Sequence, residues 1–318
     1  MLKIVLIGTG EHSQGHHLPA LAHYVSLRPG EVQLAALCDL RRDHAENMAQ
    51  KYGFEHTYTD LQEMLNKEKP DGCIAVTPVE TTAQVALQVI RTGVSLLMEK
   101  PPGATVDEAK EIVHQTEKSG TRVMVSLNRR FDPALCAAFD WKGGRPLEYL
   151  RATIIRHKRV ERGFMQEAGI HALDAMRKLG GNVKDYSVVV RRIGSVRWYI
   201  VTFTFDSGAL GVLEVLPNCG STAEYYELFG MNYRALARVG RYDSGEFICW
   251  ENGSVVAENE PARGKPEFVR SGAFAETVEF IAALKENRAP HPSPAEVLQS
   301  VELSHSIGEE IESKRQES

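Results

Sequence analysis

The sequence predicts an α/β protein with two domains, a doubly wound parallel sheet followed by an α+β domain with a large, mostly antiparallel sheet. Up to about residue 125, short apolar runs alternate with helical segments, which is typical of a parallel sheet covered on both faces. Beyond that point, runs rich in β-branched and aromatic residues follow one another with turn signals between them, which is typical of antiparallel strands. We therefore place the domains at 1–125 and 126–318 of the 318 residues.

The first strand, residues 2–7, runs directly into Gly8-Thr9-Gly10, and a helical stretch follows at 18–27. Glycines in such a turn let the backbone bend tightly and let a pyrophosphate approach, where the helix N-terminus offers unpaired N–H groups. Ser13 stands at the third position of the G-x-G-x-x-G pattern, where it is small enough for close helix packing, and Gly15 could serve in a longer loop. The pattern predicts a dinucleotide-binding turn.

The second strand, 32–37, ends in Cys38-Asp39, where the dinucleotide pattern places an acid that binds the ribose hydroxyls. An acid at Asp39 repels a 2′-phosphate and favours NAD. Arg41 and Arg42 are close enough in sequence to bind such a phosphate, so NADP stays open. Asp39 could instead begin the next helix as its N-cap.

The remaining elements of the first domain keep the same alternation. We expect helices at 45–52, 61–66, 82–92 and 106–119 and strands at 72–76, 94–98 and 122–127. Ligands of doubly wound sheets bind beyond the carboxyl ends of the strands. The residues that follow strands here are Gly8, Asp39, Thr77, Lys100 and Asn128.

Lys100 lies in Met98-Glu99-Lys100-Pro101-Pro102, where two prolines stiffen the backbone directly after a strand. The five residues alone are typical of a surface turn with a solvated lysine. The position of Lys100 at a strand end, on the same rim as the glycine turn and Asp39, favours a functional role. Because a charged lysine is a poor base at neutral pH, we expect Lys100 to polarise and position a substrate.

The second domain is predicted from its strands and two late helices. Strands are expected at 147–156, 186–193, 196–205, 209–216, 225–229, 234–239 and 246–250, with helices at 274–286 and 295–313. Asp206-Ser207-Gly208 and Glu251-Asn252-Gly253 are hairpin turn signals. A broad sheet with a free face often pairs with a second copy, so we expect a homo-oligomer, either dimer or tetramer.

Glu167, His171 and Asp174 are spaced at i, i+4 and i+7 before a helix that ends at Gly180-Gly181. If this segment is helical, the three side chains share a face, and a carboxylate one turn from His171 can orient its ring and raise its pKa. This arrangement suits proton transfer. The alternative is a partly buried helix whose polar side chains bond backbone groups.

Composition excludes several classes of partner. A net charge of −5 with a pI near 6.1 provides no basic field for nucleic acid or anionic lipid, so we expect a small-molecule substrate. No apolar run has the length of a membrane span, and we expect a cytoplasmic protein without membrane contact. The five cysteines contain no C-x-x-C pair. His12, His16 and His17 lie near the glycine turn, where metal ligation lacks a carboxylate or cysteine partner, so we expect contacts with the cofactor loop or solvent and no metal site.

Together these motifs resemble the Gfo/Idh/MocA family of nicotinamide-dependent oxidoreductases over nearly the whole chain. The resemblance rests on Gly8-Thr9-Gly10, Cys38-Asp39, Thr77-Pro78, Glu99-Lys100-Pro101, Asn128-Arg129-Arg130-Phe131 and Gly169-Ile170-His171 with Asp174. It implies that Lys100 contacts the substrate hydroxyl and the nicotinamide ribose, that His171 exchanges the proton, and that Asp174 orients substrate or supports His171. Glu167 stands where relatives often carry an aspartate. The cofactor contacts it implies are Gly8, Thr9, Gly10, Ser13, Asp39, Arg41, Thr77, Pro78, Glu99, Lys100, Asn128 and Arg129.

The implied activity is NAD(P)-dependent hydride transfer to or from a secondary hydroxyl or ketone of a sugar, cyclitol or related polyol. Two departures bear on this: Thr82 replaces a frequent histidine, and Gly163-Phe164-Met165-Gln166 replaces the glycine-rich approach to the catalytic histidine. Two alternatives therefore stay open. One is a cofactor-binding regulatory protein without catalysis, and the other is an NAD-assisted glycoside hydrolase.

Overall fold

The computed structural model describes residues 1–159 and 163–314, which form two compact units. The first unit consists of Met1–Leu127 and Ala273–Leu298, and the second consists of Asn128–Gly272 and the residues from Gln299 on. The division after Leu127 is close to the predicted boundary. The structure differs from the predicted continuous second domain, because Ala273–Leu298 belong to the first unit. Segments that are distant in sequence can pack into the same hydrophobic core.

The first unit contains a six-stranded parallel sheet with the strand order β3–β2–β1–β4–β5–β6. Its strands are β1 (Leu2–Ile7), β2 (Val32–Cys38), β3 (His56–Tyr58), β4 (Gly72–Ala75), β5 (Ser95–Glu99) and β6 (Val123–Ser126). The strand order reverses between β1 and β4, which opens a crevice at the carboxyl ends of these two strands. The predicted doubly wound sheet is confirmed, and the short strand β3 was not foreseen.

The helices in the described ranges are numbered in chain order. They are α1 (Leu18–Leu27), α2 (Arg42–Tyr52), α3 (Leu61–Glu68), α4 (Val79–Ile90), α5 (Val106–Ser119), α6 (Pro133–Lys142), α7 (Ile170–Gly180), α8 (Glu267–Arg270), α9 (Ala273–Lys285) and α10 (Pro294–Ser313). Their ends follow local chemistry: Asp60 and Thr105 accept the N3 amide at the starts of α3 and α5, and Gly53 and Gly120 end α2 and α5 in left-handed conformations.

Helix α9 is part of the core of the first unit. An ideal Cβ on Gly72, at the start of β4, would lie 2.8 Å from Leu284 and 2.9 Å from Ile4. It would also lie 3.2 Å from Phe280, which is fully buried. The sheet therefore accepts α9 at this point because position 72 has no side chain.

The second unit contains an eight-stranded sheet with the order β14–β13–β12–β11–β7–β10–β9–β8. Its strands are β7 (Tyr149–Arg156), β8 (Val183–Ile193), β9 (Val196–Phe205), β10 (Leu210–Pro217), β11 (Ala223–Gly230), β12 (Tyr233–Arg238), β13 (Phe247–Glu251) and β14 (Ser254–Glu258). Every neighbouring pair is antiparallel except β7 and β10. The predicted, mostly antiparallel sheet is confirmed.

The two faces of this sheet differ. Val188 and Val201 are register partners on β8 and β9 and are buried in the core of the unit. The next pair, Val189 and Ile200, points to the opposite face and is exposed. One face thus packs on the core, while the other presents apolar side chains to solvent.

None of the helices in the described part of the chain combines the length and apolar character that crossing a bilayer requires.

Candidate active-site residues

The glycine turn follows β1 at the crevice of the parallel sheet. Gly8 has φ +87°, and a Cβ there would lie 2.0 Å from the carbonyl oxygen of Val76. Its amide donates to the Cys38 carbonyl at 2.8 Å, so the turn is tied to β2 as well. Gly10 differs, because a Cβ there would meet no atom of residues 1–159 and 163–314 within 4 Å. Gly8 is therefore required by the protein's own backbone, whereas Gly10 leaves one side of the turn open for a ligand.

A helical segment begins directly after Gly10, whose carbonyl accepts the Gln14 amide at 3.0 Å. Its second part, Ser13–His17, is a π-helical turn that continues into α1, and the Leu18 amide bonds the Ser13 carbonyl five residues back. Pro19 lies next in the chain and donates no amide, which disfavours a regular α-helical ladder at this place. Ser13 is buried, as its predicted packing role requires.

Asp39 joins the glycine turn to the end of β2. Its Oδ2 accepts the amide of Thr9 at 2.8 Å and the hydroxyl of Thr9 at 2.6 Å. Its Oδ1 accepts the amide of Arg41 at 2.9 Å and Nε of Arg41 at 3.2 Å. Burial raises the pKa of Asp39, but the bonds from Thr9 and Arg41 outweigh burial and hold that pKa well below its usual range. Asp39 is therefore an anion at neutral pH. The N-cap of α2 is Arg41, not Asp39.

Thr77 and Pro78 follow β4, and Pro78 is the N-cap residue of α4. The hydroxyls of Thr77 and Thr82 lie 3.2 Å apart, and the Thr82 hydroxyl also donates to the Pro78 carbonyl at 3.0 Å. Thr82 is buried. Thr82, which departs from the family pattern, thus stabilises the loop after β4 through these hydrogen bonds.

Glu99, the last residue of β5, is buried between two histidines of the helical segment after the glycine turn. Its Oε1 lies 2.6 Å from Nε2 of His17 and 3.0 Å from Nε2 of His12. Burial raises the pKa of Glu99, but His12 and His17 outweigh burial and hold it well below its usual value. The fold thus supplies a carboxylate partner that lies 82 positions from His17 in the sequence.

Lys100 follows Glu99 and is partly buried, and its amide donates to Oε2 of Glu99 at 3.2 Å. Ser126 of β6 is the register partner of Glu99 and donates to Oε2 of Glu276 on α9 at 3.0 Å. Burial, and then the negative charge of Glu99, raise the pKa of Glu276 well above its usual value. Polar groups thus surround the strand end that carries Lys100.

Asn128 and Arg129 form the start of a short 3₁₀ turn in the second unit, and both are buried. The Arg129 guanidinium donates to both carboxylate oxygens of Glu224, at 2.6 and 3.1 Å, and to Oδ1 of Asn128 at 3.1 Å. Arg156 also pairs with Glu224. Arg129 is thus held inside the second unit, and the predicted cofactor contacts of Asn128 and Arg129 stay predictions.

Glu167, His171 and Asp174 lie on a backbone that is not one continuous α-helix. Glu167 is exposed in a π-helical turn at Met165–Gly169, whereas His171 is partly buried in the first turn of α7. Asp174 is fully buried and accepts two bonds from Arg130, at 2.6 and 2.8 Å, and one from Ser300 at 3.0 Å. The three side chains therefore differ in exposure, and their predicted catalytic roles stay predictions.

A cavity of about 180 Å³ lies in the second unit beside the π-helical turn that precedes His171. Its lining includes Phe164, Met165, Gln166, Arg197 and Tyr199. The segment that departs from the glycine-rich family pattern therefore helps to form this cavity.

The residues of the first unit fit a dinucleotide. Gly10 leaves the turn open, the helical segment after it presents amides, and Asp39 presents a carboxylate at the end of the neighbouring strand. These are the groups that hold a pyrophosphate and a ribose in doubly wound sheets. A nicotinamide cofactor would supply the hydride-transfer chemistry that these side chains lack.

Comparisons with known proteins agree with this geometry. Residues 2–127 match the Gfo/Idh/MocA model, an oxidoreductase family with an NAD-binding Rossmann fold. A D-apiose dehydrogenase from Paraburkholderia graminis is 27% identical over 238 aligned positions, which cover 67% of this chain and 60% of that protein. A 4-carboxy-2-hydroxymuconate-6-semialdehyde dehydrogenase from Sphingobium sp. is 23% identical over 317 aligned positions, which cover 93% and 95%.

The solved structure of levoglucosan dehydrogenase in complex with NADH has the same fold in both units. It superposes with a TM-score of 0.85 at 18% sequence identity, covering 98% of this chain and 97% of that one. The fold assignment therefore extends beyond the residues that the family model matches.

Proposed function

We propose that this chain, whose residues 2–127 match the Gfo/Idh/MocA oxidoreductase model, is a dehydrogenase that uses NAD and acts on a secondary hydroxyl of a sugar or related polyol. The observation that carries the proposal is the position of Lys100, directly after β5 in a parallel sheet whose glycine turn fits a dinucleotide. The names of the apiose and levoglucosan dehydrogenases support the substrate class.

In the proposed mechanism, Lys100 and His171 have different roles. The charge of Lys100 stabilises alkoxide character on the substrate oxygen, and His171 accepts the hydroxyl proton. A nicotinamide cofactor, when bound, would accept the hydride that the carbinol carbon gives up as it becomes a carbonyl carbon. The reverse reaction returns the proton from His171 to the carbonyl oxygen.

Asp39 supports NAD as the preferred cofactor. Its carboxylate is ionised at neutral pH and disfavours a 2′-phosphate, although Arg41 beside it offsets part of this charge. We expect kcat/KM for NAD to exceed that for NADP by roughly tenfold or more. Replacing Asp39 with Ala should lower kcat/KM for NAD and so reduce the preference for NAD over NADP.

The proposal is tested with a panel of sugars, cyclitols and polyols, read by absorbance of the reduced nicotinamide with each cofactor in parallel. A semialdehyde arm belongs in the panel because the Sphingobium relative carries that name. Turnover of a polyol supports the proposal. Cofactor binding without turnover would instead indicate a non-catalytic, cofactor-binding protein. A cofactor that stays bound and releases no net NADH while a glycoside is cleaved would indicate the NAD-assisted glycoside hydrolase.

Replacing Lys100 with Met tests the mechanism directly. We expect kcat/KM to fall by about 10³-fold or more, while the Kd for cofactor stays within about tenfold, because the charge acts mainly in the transition state. Lys118→Met, at an exposed position near the end of α5, is the matched control and should keep full activity. Unimpaired turnover of Lys100→Met would remove Lys100 from the mechanism.

A further inference from the structure

Three potential metal ligands converge in the first unit where the helical segment after the glycine turn meets the end of β5. They are Nε2 of His12, Nε2 of His17 and a carboxylate oxygen of Glu99, and all three atoms lie within 4.8 Å of one another. Both imidazole nitrogens point at the same oxygen, from 3.0 and 2.6 Å.

The π-helical turn brings the two histidines together. His12 and His17 are five residues apart, which is the hydrogen-bond spacing of a π-helix, and their rings meet edge to face at 5.8 Å between centroids. His16, at the α-helical spacing from His12, stacks on His12 instead and is directed to the His12 carbonyl through Nδ1. The π-turn therefore selects His17 as the second donor facing Glu99.

We propose that His12, His17 and Glu99 form a binding site for a divalent transition metal ion, with Zn²⁺ as the best match. Two imidazoles and one carboxylate are the protein donor set of several zinc centres that keep a fourth position open. Tetrahedral Zn²⁺ with bonds of about 2.0–2.1 Å holds its donors about 3.3–3.4 Å apart. To reach this spacing, the His12–Glu99 pair at 3.0 Å would open by about 0.3–0.4 Å and the His17–Glu99 pair at 2.6 Å by about 0.7–0.8 Å.

The exposure of the three residues gives the site a closed side and an open side. Glu99 and His17 are buried, whereas the side chain of His12 is 43% exposed. An ion can therefore enter past His12, and water or a small ligand can fill the fourth position. Ca²⁺ and Mg²⁺, which require several oxygen donors, are poor matches for two imidazoles.

A second carboxyl group lies near the site. Glu276 has one carboxyl oxygen bonded to Ser126, while its Oε1 is buried and makes no hydrogen bond to a described residue. Because Ser126 is the register partner of Glu99, this second carboxyl group lies next to the proposed ligand. A bound ion would thus connect the helical segment after the glycine turn to the strand end that carries Lys100.

The test is a Zn²⁺ titration of the untagged full chain after treatment with a chelator, followed by calorimetry, with Co²⁺ as a spectroscopic probe. We expect one Zn²⁺ per chain and a visible Co²⁺ spectrum of nitrogen and oxygen ligation without a thiolate band. His12→Gln, His17→Gln and Glu99→Gln should each weaken Zn²⁺ binding by at least tenfold. This readout does not depend on dehydrogenase activity.

His114→Gln, at an exposed position on α5, is the control and should bind like the unmodified chain. His12→Gln decides the outcome if the buried replacements impair folding, since His12 lies at the surface, and thermal melts without metal check each variant. Binding that survives in His12→Gln, or a thiolate band with Co²⁺, would overturn the proposal.

Discussion

Gly8 and Gly10 lie two residues apart in the same turn, but they are glycines for different reasons. The protein's own backbone requires Gly8, because Val76 approaches it and its φ is positive. No atom of the described residues lies within 4 Å of a Cβ built on Gly10, so we expect that the glycine there serves a ligand that approaches the backbone. The two reasons can be separated by matched substitutions.

Gly8→Ala should lower the free energy of unfolding by more than about 3 kcal/mol, since it combines a backbone clash with left-handed strain. Gly10→Ala should leave that free energy within about 1 kcal/mol and weaken NAD binding by roughly tenfold or more, because its methyl group faces the expected pyrophosphate. Urea unfolding and calorimetric NAD binding measure the two effects. A Gly10→Ala variant that binds NAD normally would contradict the assigned ligand site.

Single residues also show how far sequence can predict a site. The positions of Gly8, Asp39 and Lys100 at strand ends follow from short apolar runs and were predicted. The contact between His17 and Glu99 joins residues 82 positions apart. It depends on the π-helical turn, which the hydrophobic periodicity of the sequence does not predict. The bond from Thr9 to Asp39 depends on strands β1 and β2 meeting in register, which is likewise a tertiary property.

At the scale of elements, α7 is fixed through Asp174, which binds Arg130 from the 3₁₀ turn and Ser300 from α10. Asp174→Asn should lower the free energy of unfolding by about 3–5 kcal/mol, because it leaves a mostly buried guanidinium without its anion. Glu63→Gln removes the exposed pair with Lys67 on α3 and should cost less than about 1 kcal/mol. Urea unfolding compares the two.

A double-mutant cycle between Asp174→Asn and Arg130→Gln sharpens this test. The two losses should be strongly non-additive, because either change alone breaks the same pair. Additive losses would mean that Asp174 and Arg130 act independently of each other.

Glu224 lies on β11, where it pairs with Arg129 and with Arg156 of the neighbouring strand β7. Burial raises the pKa of Glu224, but the two arginines outweigh burial and lower the pKa from its usual 4.5 to about 2. Because the folded value lies below the unfolded one, the stabilisation by ionised Glu224 is complete above about pH 4.5 and is lost as the pH falls towards 2.

Glu224→Gln should therefore be less stable than the unmodified chain by about 3–5 kcal/mol at pH 7, and this difference should shrink between pH 4.5 and 2. Urea unfolding at a series of pH values measures it. A difference that stays constant through this range would show that the charge of Glu224 does not carry the stabilisation.

Elements with strong periodicity were predicted closely, and those set by tertiary context were not. Strands β1 and β9 and helices α1 and α5 have the predicted bounds, because their apolar patterns end at clear signals. Helix α6 was missed, although Asp132-Pro133 is a start signal and Asp132 accepts two amides of its first turn. Strand β14 was also missed. It is short and largely exposed at the sheet edge, and its sequence shows little of the apolar–polar alternation that predicts a strand.

At the scale of the whole molecule, the outer face of the eight-stranded sheet supports the proposed homo-oligomer. Val189 on β8 and Ile200 on β9 are exposed register partners, and the exposed Ile193 on β8 and Leu210 on β10 each lie four register positions from this pair. Exposed apolar side chains grouped on a sheet face commonly mark a protein interface.

Ile200→Glu should therefore convert the oligomer to a smaller species with a well-folded chain, because a charge is placed at the centre of this face. Light scattering coupled to gel filtration measures the mass. Leu27→Glu, at an exposed position at the end of α1, is the control and should keep the mass of the unmodified chain. A monomeric unmodified chain, or an Ile200→Glu variant of unchanged mass, would contradict this interface.

The return of Ala273–Leu298 to the first unit has a consequence for biosynthesis. The parallel sheet is complete once Leu127 has been synthesised. Gly72 and Ile4, however, stay uncovered until Leu284 and Phe280 have been synthesised and packed against them. During translation, the second unit's sheet is synthesised in that interval, while part of the first unit's core is still open to water. Until residues 273–298 have left the ribosome, an apolar surface of the first unit therefore stays uncovered and open to aggregation.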